Sequence, residues 1–346
     1  MSRFKSNIAL SNLGSAKTGV LLTNLGTPEA PTTSALRKYL REFLSDPRVV
    51  EIPRILWLTI LYGVILLLRP AKSAKLYKSI WSALGSPLLV ISRQQQEKVA
   101  KQLLDTYGDN VVVELGMRYG QPSISKALCR LQSLGVRNII VLPLYPQYAS
   151  PTTGSTFDAL AKEVKNWRWV PNLHFVSGYH DHPLYVNALA NSINEHIAKH
   201  GKPEKFVLSY HGMPELFYQW GDPYFDFCHK TTELLAAKLN WSFDDYVMTF
   251  QSRFGKAEWL KPYTDATLAS LPAQDCKNIA IISPAFSADC LETLEELEKE
   301  NREVFIEAGG TQYHYIPALN DRDDHVQALV NILTPLINIY TQIESE

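Results

Sequence analysis

His211 closes an apolar run, Phe206–Tyr210, and is followed at once by Gly212-Met213-Pro214. The pattern predicts an imidazole at the carboxyl end of a strand, on a turn kept tight by glycine and proline. An imidazole titrates near neutral pH and can accept a proton or ligate a divalent ion. A second group of chemical side chains begins at Asp289-Cys290-Leu291-Glu292, after the apolar run Ile279–Pro284, and continues as Thr-Leu-Glu-Glu-Leu-Glu-Lys-Glu. On an α-helix Glu292, Glu296 and Glu300 share one face. Each such carboxylate pair costs an isolated helix about 0.2–0.5 kcal/mol, so the stack is unfavourable unless a cation or a proton passes along it. The plainer alternative is an acidic, solvated helix relieved by Lys299 and Arg302. Facing each other across a cleft, the two loops would pair a neutral imidazole with carboxylates, a combination suited to proton removal and to transient binding of a divalent ion.

Two further stretches follow apolar runs. Tyr145-Pro146-Gln147-Tyr148-Ala149-Ser150-Pro151-Thr152-Thr153-Gly154-Ser155 is rich in hydroxyls and rings and reads as a binding loop. Arg118-Tyr119-Gly120 puts an arginine at a strand end, where it could pair with an anionic group. Neither is a phosphate cradle, because Gly-x-Gly-x-x-Gly and the Walker pattern are both absent. The four cysteines, Cys129, Cys228, Cys276 and Cys290, form no Cys-x-x-Cys pair, which argues against a structural zinc or an iron–sulfur cluster and suits a reducing compartment.

These residues need a scaffold that presents strand ends. Thr18–Leu25, Val111–Gly116 and Asn138–Leu144 read as buried strands, with helices around Ser34–Leu44, Ile124–Leu134 and Thr156–Lys165. The alternation resumes with strands at Leu173–Ser177, Phe206–Tyr210, Tyr246–Gln251 and Asn278–Pro284, and helices at Leu184–His200, Tyr224–Leu239 and Asp324–Tyr340. Continuous apolar strands alternating with helices predict an α/β fold with parallel sheets covered on both faces, in two similar halves. The division falls near residue 175: a flexible N-terminus 1–17, a first half 18–175 and a second half 176–346, whose final helix could pack across both. Ligands of such sheets bind beyond the carboxyl ends of the strands.

The run Ile55–Leu68, within a segment of about 52–70 bracketed by Pro53-Arg54 and Arg69-Pro70, is apolar apart from Thr59 and Gly63. As a helix it reaches only about 21 Å, short of the ~30 Å hydrocarbon core of a bilayer. It reads either as a buried core helix or as an interfacial segment or cleft lip, which Trp57, Tyr62 and the flanking arginines favour. The whole chain has 346 residues, 46% hydrophobic and 20% charged, with Lys+Arg 34 against Asp+Glu 35. Charge-driven disorder and nucleic-acid binding are therefore disfavoured. No signal core interrupts the N-terminus, and a cytoplasmic protein is expected.

Taken together the motifs resemble those of ferrochelatases, enzymes that insert Fe²⁺ into a porphyrin. They are LLTNLGTP at the first strand, MRYG-x-P, YPQY-x-x-x-TTGS, FVLSYHGMP followed by GDPY, FQSRFG-x-x-x-WL and SPAFSADCLETLEELE, in order over about residues 18 to 335. The resemblance implies a class II chelatase fold of two Rossmann-like domains with a porphyrin cleft between them, and conversion of protoporphyrin IX to protohaem with release of two protons. It makes His211 and Glu292 the residues of catalysis and metal binding, Glu296 and Glu300 a route for metal or protons, and Leu25, Arg118, Tyr119, Trp259 and Phe286 porphyrin contacts. Ile55–Leu68 falls in the family's cleft lip and membrane contact. No cluster is expected, because Ser150 stands where animal members have a cysteine and none follows Cys290. Animal members commonly carry histidine two residues before the partner glutamate; here that residue is Cys290. The animal C-terminal extension is also missing, which favours a monomer. Other readings are a coproporphyrin or cobalt-precursor chelatase of the same fold and a non-catalytic haem- or porphyrin-binding protein.

Overall fold

Runs of Val, Ile and Leu bounded by Gly, Pro or Asn form two parallel sheets in the computed structural model, which describes residues 4–6, 17–255 and 257–341. The expected flexible N-terminus 1–17 falls largely outside the described residues. The first sheet contains β1 (Thr18–Thr27), β2 (Val111–Gly120), β3 (Asn138–Pro143) and β4 (Asn172–Phe175), in the order β2-β1-β3-β4. The second contains β5 (Lys205–His211), β6 (Tyr246–Gln251), β7 (Asn278–Ile282) and β8 (Gln312–Tyr315), in the order β6-β5-β7-β8. In each, the earliest strand is central and flanked by the second and third, so one topology occurs twice. All pairings are parallel, with Leu21 opposite Glu114 and Val141, and Val207 opposite Val247 and Ile281. Parallel strands buried on both faces give the continuous apolar runs seen in the sequence.

The helices are α1 (Thr33–Leu44), α2 (Arg54–Ile60), α3 (Leu66–Ile80), α4 (Pro87–Tyr107), α5 (Ile124–Ser133), α6 (Ser155–Val164), α7 (Pro183–His200), α8 (Glu215–Gln219), α9 (Tyr224–Leu239), α10 (Thr264–Ser270), α11 (Asn301–Glu307) and α12 (Asp323–Thr341). Side-chain caps start two of them: Thr32 accepts from the Ala35 amide ahead of α1, and Ser123 from the Lys126 amide ahead of α5. Two compact units emerge, 1–145, 150–178 and 326–346 against 146–149 and 179–325. No single cut in the chain separates them. The helix that follows β4 belongs to the second unit, and most of the helix that follows β8 belongs to the first.

The apolar segment departs from both its expected length and its buried alternative. From Arg54 to Ile80 the helix is continuous over 27 residues, about 40 Å at 1.5 Å per residue, long and apolar enough to cross a membrane by length and composition. Pro70 does not end it. The missing amide of Pro70 leaves the Leu66 carbonyl without its helical partner, and the Arg37 guanidinium donates to that oxygen at 3.0 Å. A π-helical stretch, Leu61–Ile65, joins α2 to α3. Only 22% of the most apolar 18 residues is buried. Trp57 and Leu61 anchor the helix, while Ile55, Leu67 and Leu68 stand 88%, 62% and 72% exposed.

Candidate active site

His211 is the last residue of the central strand β5, opposite Gln251 at the end of β6. The Gly212 amide donates to the Gln251 carbonyl at 2.8 Å. A Cβ on Gly212 would lie 2.5 Å from that oxygen, so only glycine allows the turn. The His211 ring nitrogen Nδ1 lies 2.7 Å from the Gly212 carbonyl. A carbonyl can only accept, so Nδ1 carries the hydrogen, and in the neutral ring this assigns the lone pair to Nε2. Trp259 packs behind the turn: Pro214 forms a bridge with Trp259, the Leu260 amide donates to the Met213 carbonyl at 2.9 Å, and the indole N–H donates to the Phe254 carbonyl at 3.0 Å. Trp259, expected as a porphyrin contact, is 5% exposed and buttresses the His211 turn. Phe286 is half-buried, its ring centroid 6.3 Å from that of His211.

The acidic segment is a helix of another kind than expected. Glu292–Glu300 is π-helical, closed at its end by the Asn301 amide donating to the Glu296 carbonyl five residues back. Such segments are rare and frequently occur at functional sites. Asp289, buried at the entry, fixes its start. Its carboxylate accepts from Thr293 Oγ1 at 2.9 Å, the Tyr315 hydroxyl at 2.5 Å and Asn320 Nδ2 at 2.7 Å. The Cys290 thiol is buried, and burial and the adjacent Glu292 carboxylate push it well above its ordinary range. It is a neutral thiol at physiological pH.

Glu296 is the hub of the arrangement. Its carboxylate accepts from the Ser252 amide at 2.7 Å, from Ser252 Oγ at 2.5 Å and from Gln251 Nε2 at 3.3 Å. Burial pushes this carboxyl up, and the Glu292 charge does the same; the Ser252 donors and His211 pull it down, leaving it raised on balance. His211 and Glu292 thus both act electrostatically on Glu296. Glu296 and Glu300 also line a cavity of about 410 Å³ together with Gln251, Ser252, Arg253 and Asp265; His211 and Glu292 are not part of its walls. Among the described residues no three His, Cys, Asp or Glu side chains form a set able to hold a metal ion.

In the first unit Leu25 is half-buried at the end of β1. Arg118 and Tyr119, both expected as porphyrin contacts, each bond the buried Asp46 carboxylate. The Arg118 guanidinium is paired with Asp46 and donates through Nε to Ser155 Oγ at 2.6 Å, with 18% of the side chain exposed. Tyr119 is fully buried and donates to Asp46 at 2.9 Å. Ser155 and the Arg48 amide complete the shell around Asp46. Burial alone would raise the Asp46 carboxyl, yet Ser155, the Arg48 amide, Arg118 and Tyr119 together hold it below its usual range. Asp46 was not singled out by sequence reasoning, and Ser155, Gln251, Ser252 and Asp289 fell within its motifs without a role of their own. The available signal was a polar residue inside or directly after a buried apolar run, as in Phe250-Gln251-Ser252.

A sequence profile of the ferrochelatase family matches residues 17–335. The chain belongs to the ferrochelatase family. It is 58% identical over 321 residues to Ferrochelatase 2 of Shewanella oneidensis, covering 93% of this chain and 98% of that protein. It is 53% identical over 330 residues to the ferrochelatase of Alcanivorax borkumensis, covering 95% and 97%. Among solved structures, SirB from Bacillus subtilis with Fe³⁺ superposes with a TM-score of 0.56 at 12% identity, over 94% of this chain and 98% of that one. The sirohydrochlorin chelatase SirB from Bacillus subtilis subspecies spizizenii, in complex with cobalt, gives 0.52 at 11% identity, over 91% and 93%. At these identities the likeness concerns the fold, two Rossmann-like α/β domains of the chelatase kind.

Proposed function

We propose that this protein inserts Fe²⁺ into protoporphyrin IX, releasing two protons and yielding protohaem. Family membership supports the reaction, and the observation that carries the residue assignment is the His211 turn: with Nδ1–H held by the Gly212 carbonyl, Nε2 is a fixed base beside the acidic π-helix. Metallation requires two pyrrole N–H protons to leave while the ion sheds its waters. His211 and Glu292 between them accept these protons and guide the metal, and Glu296 and Glu300 lead toward the acid-lined cavity and solvent. Fe²⁺ is cargo. With two protein ligands rather than a closed set it is held transiently, which suits a metal that must be given up to four pyrrole nitrogens. No resident cofactor is needed, since no electron is transferred, and we place no iron–sulfur cluster on the four free cysteines.

The helix Arg54–Ile80 supports peripheral contact with a membrane by a protein otherwise residing in the cytoplasm as a monomer. Its exposed apolar half is followed by exposed Arg69, Lys72, Lys75 and Lys78, so spanning would bury four cations, whereas lying in the interface seats both halves. That position also suits a sparingly soluble porphyrin.

The deciding experiment is anaerobic mixing of the protein with Fe²⁺ and protoporphyrin IX, followed by metalloporphyrin absorbance, for wild type and His211→Ala. Loss of a positioned base predicts a fall of at least about 10²-fold in kcat with porphyrin affinity, read by fluorescence quenching, little changed. Near-normal turnover in His211→Ala would overturn the assignment. Coproporphyrin and a cobalt-precursor tetrapyrrole, offered in parallel, test the choice of macrocycle.

A further inference from the structure

Gln251 and Ser252 touch both sides of the candidate site while carrying no charge of their own. The backbone carbonyl of Gln251 receives the Gly212 amide and so fixes the turn that aims His211. Its side chain, only 3% exposed for the residue as a whole, reaches the other way: Nε2 donates to the Glu292 carbonyl at 3.0 Å and to the Glu296 carboxylate at 3.3 Å. The amide cannot be turned over. Its Oε1 accepts from the buried Ser209 hydroxyl at 2.9 Å, and a flipped amide would set oxygen against the Glu292 carbonyl and the Glu296 carboxylate.

Ser252 adds two donors to the same carboxylate, one from its amide and one from its hydroxyl. Both point at Glu296 while Ser252 holds φ at +64°, a left-handed conformation that costs a non-glycine residue roughly 1–2 kcal/mol. Such a conformation persists where surrounding contacts over-determine it. Here the contact it serves is Glu296, whose partial burial would otherwise leave its oxygens short of donors.

We propose that Gln251 and Ser252 are positioning residues for metallation: they lock Glu296 in register with His211 and Glu292, so that the proton or metal leaves or enters along one fixed line. This rests on the reading of Glu296 as part of that route. The strand-end pair does so from a single dipeptide, coupling the imidazole turn to the π-helix through one backbone and two side chains.

The test uses the full-length protein with Zn²⁺ as an air-stable divalent ion and protoporphyrin IX, measuring kcat and the two KM values separately for Ser252→Ala, Ser252→Gly, Gln251→Ala and Glu296→Gln. Loss of one donor to a charged group predicts about a tenfold drop in kcat for Ser252→Ala and Gln251→Ala, with the KM for porphyrin unchanged. Ser252→Gly removes the same hydroxyl but relaxes the left-handed backbone, so it should be impaired as much as Ser252→Ala. Full activity in Ser252→Gly beside a crippled Ser252→Ala would trace the defect to backbone strain and overturn the hydroxyl's role. Normal kcat in Ser252→Ala and Gln251→Ala beside an impaired Glu296→Gln would overturn the positioning role alone. Normal turnover in Glu296→Gln would remove the route itself and the inference with it.

Discussion

In the proposed reaction His211 uses one ring nitrogen because its neighbour's carbonyl occupies the other, and Asp46 shows the same economy in the first unit. Four donors converge on the Asp46 carboxylate, among them Arg118 and the buried Tyr119 hydroxyl. Breaking a buried charge pair by neutralising one member leaves the other unmatched, which costs more than the pair contributes when intact. Arg118 keeps 18% of its side chain exposed, so water offsets part of that cost. Asp46→Asn is expected to lower unfolding stability by about 2–3 kcal/mol, read as a lower urea midpoint at pH 7 with an unchanged slope. A midpoint equal to wild type would mean that the guanidinium finds another partner at no cost. Sequence alone placed Arg118 and Tyr119 at a strand end, which is correct, but a strand end does not say whether a side chain turns outward to a ligand or inward to a carboxylate. That depended on Asp46, which is 72 residues away from Arg118 in the chain.

The regular elements were readable because their periodicity is strong: β6 and α9 have the bounds expected, and most others differ by one to four residues at an end. The elements that escaped have weaker patterns. The core face of α4 carries Ser92 and Gln95 among its apolar residues, which blurs a 3.6-residue repeat, and β8 is four residues long with polar Gln312 and His314 in it. The π-helix could not be distinguished from an α-helix, since its hydrogen bonding is decided by Ser252, Asp289 and Asn301 around it and not by its own spacing of glutamates. The apolar helix 54–80 escaped in length because the carbonyl freed by Pro70 is satisfied from α1. Exposed leucines on this helix contribute little to the fold, so Leu67→Glu combined with Leu68→Glu should shift stability by less than about 0.5 kcal/mol. The same change should abolish most sedimentation with vesicles containing anionic lipid, because it removes apolar contact and adds repulsion. Unaltered vesicle binding would remove the helix from the membrane contact.

Across the whole molecule, stability should fall on mild acidification, and histidines rather than carboxylates should set the onset. His325 is fully buried at the first turn of α12; its Nδ1 donates to the Asn320 carbonyl at 2.8 Å and its buried Nε2 has no hydrogen-bond partner among the described residues. A second proton would be placed in a dry site, and burial accordingly pushes this imidazole from 6.5 down to about 4. His196 is pushed down to about 4 as well, first by burial and then by His200, His314 and Lys199, with ring centroids of 4.7 Å to His200 and 5.2 Å to His314. Both groups have folded values below their unfolded ones, so between these values the unfolded chain binds more protons and stability rises with pH. The stabilisation is complete above about pH 6.5 and is lost as pH falls toward 4. For His325 alone this amounts to about 2 kcal/mol at pH 5; His196 adds less, because solvent reaches it. Urea midpoints measured at pH 7, 6 and 5 should therefore decline steadily in the wild type, and less steeply in His325→Gln, whose amide replaces the Nδ1–H donor without a titrating nitrogen. A wild-type midpoint constant from pH 7 to 5 would show that these imidazoles accept protons without loosening the fold.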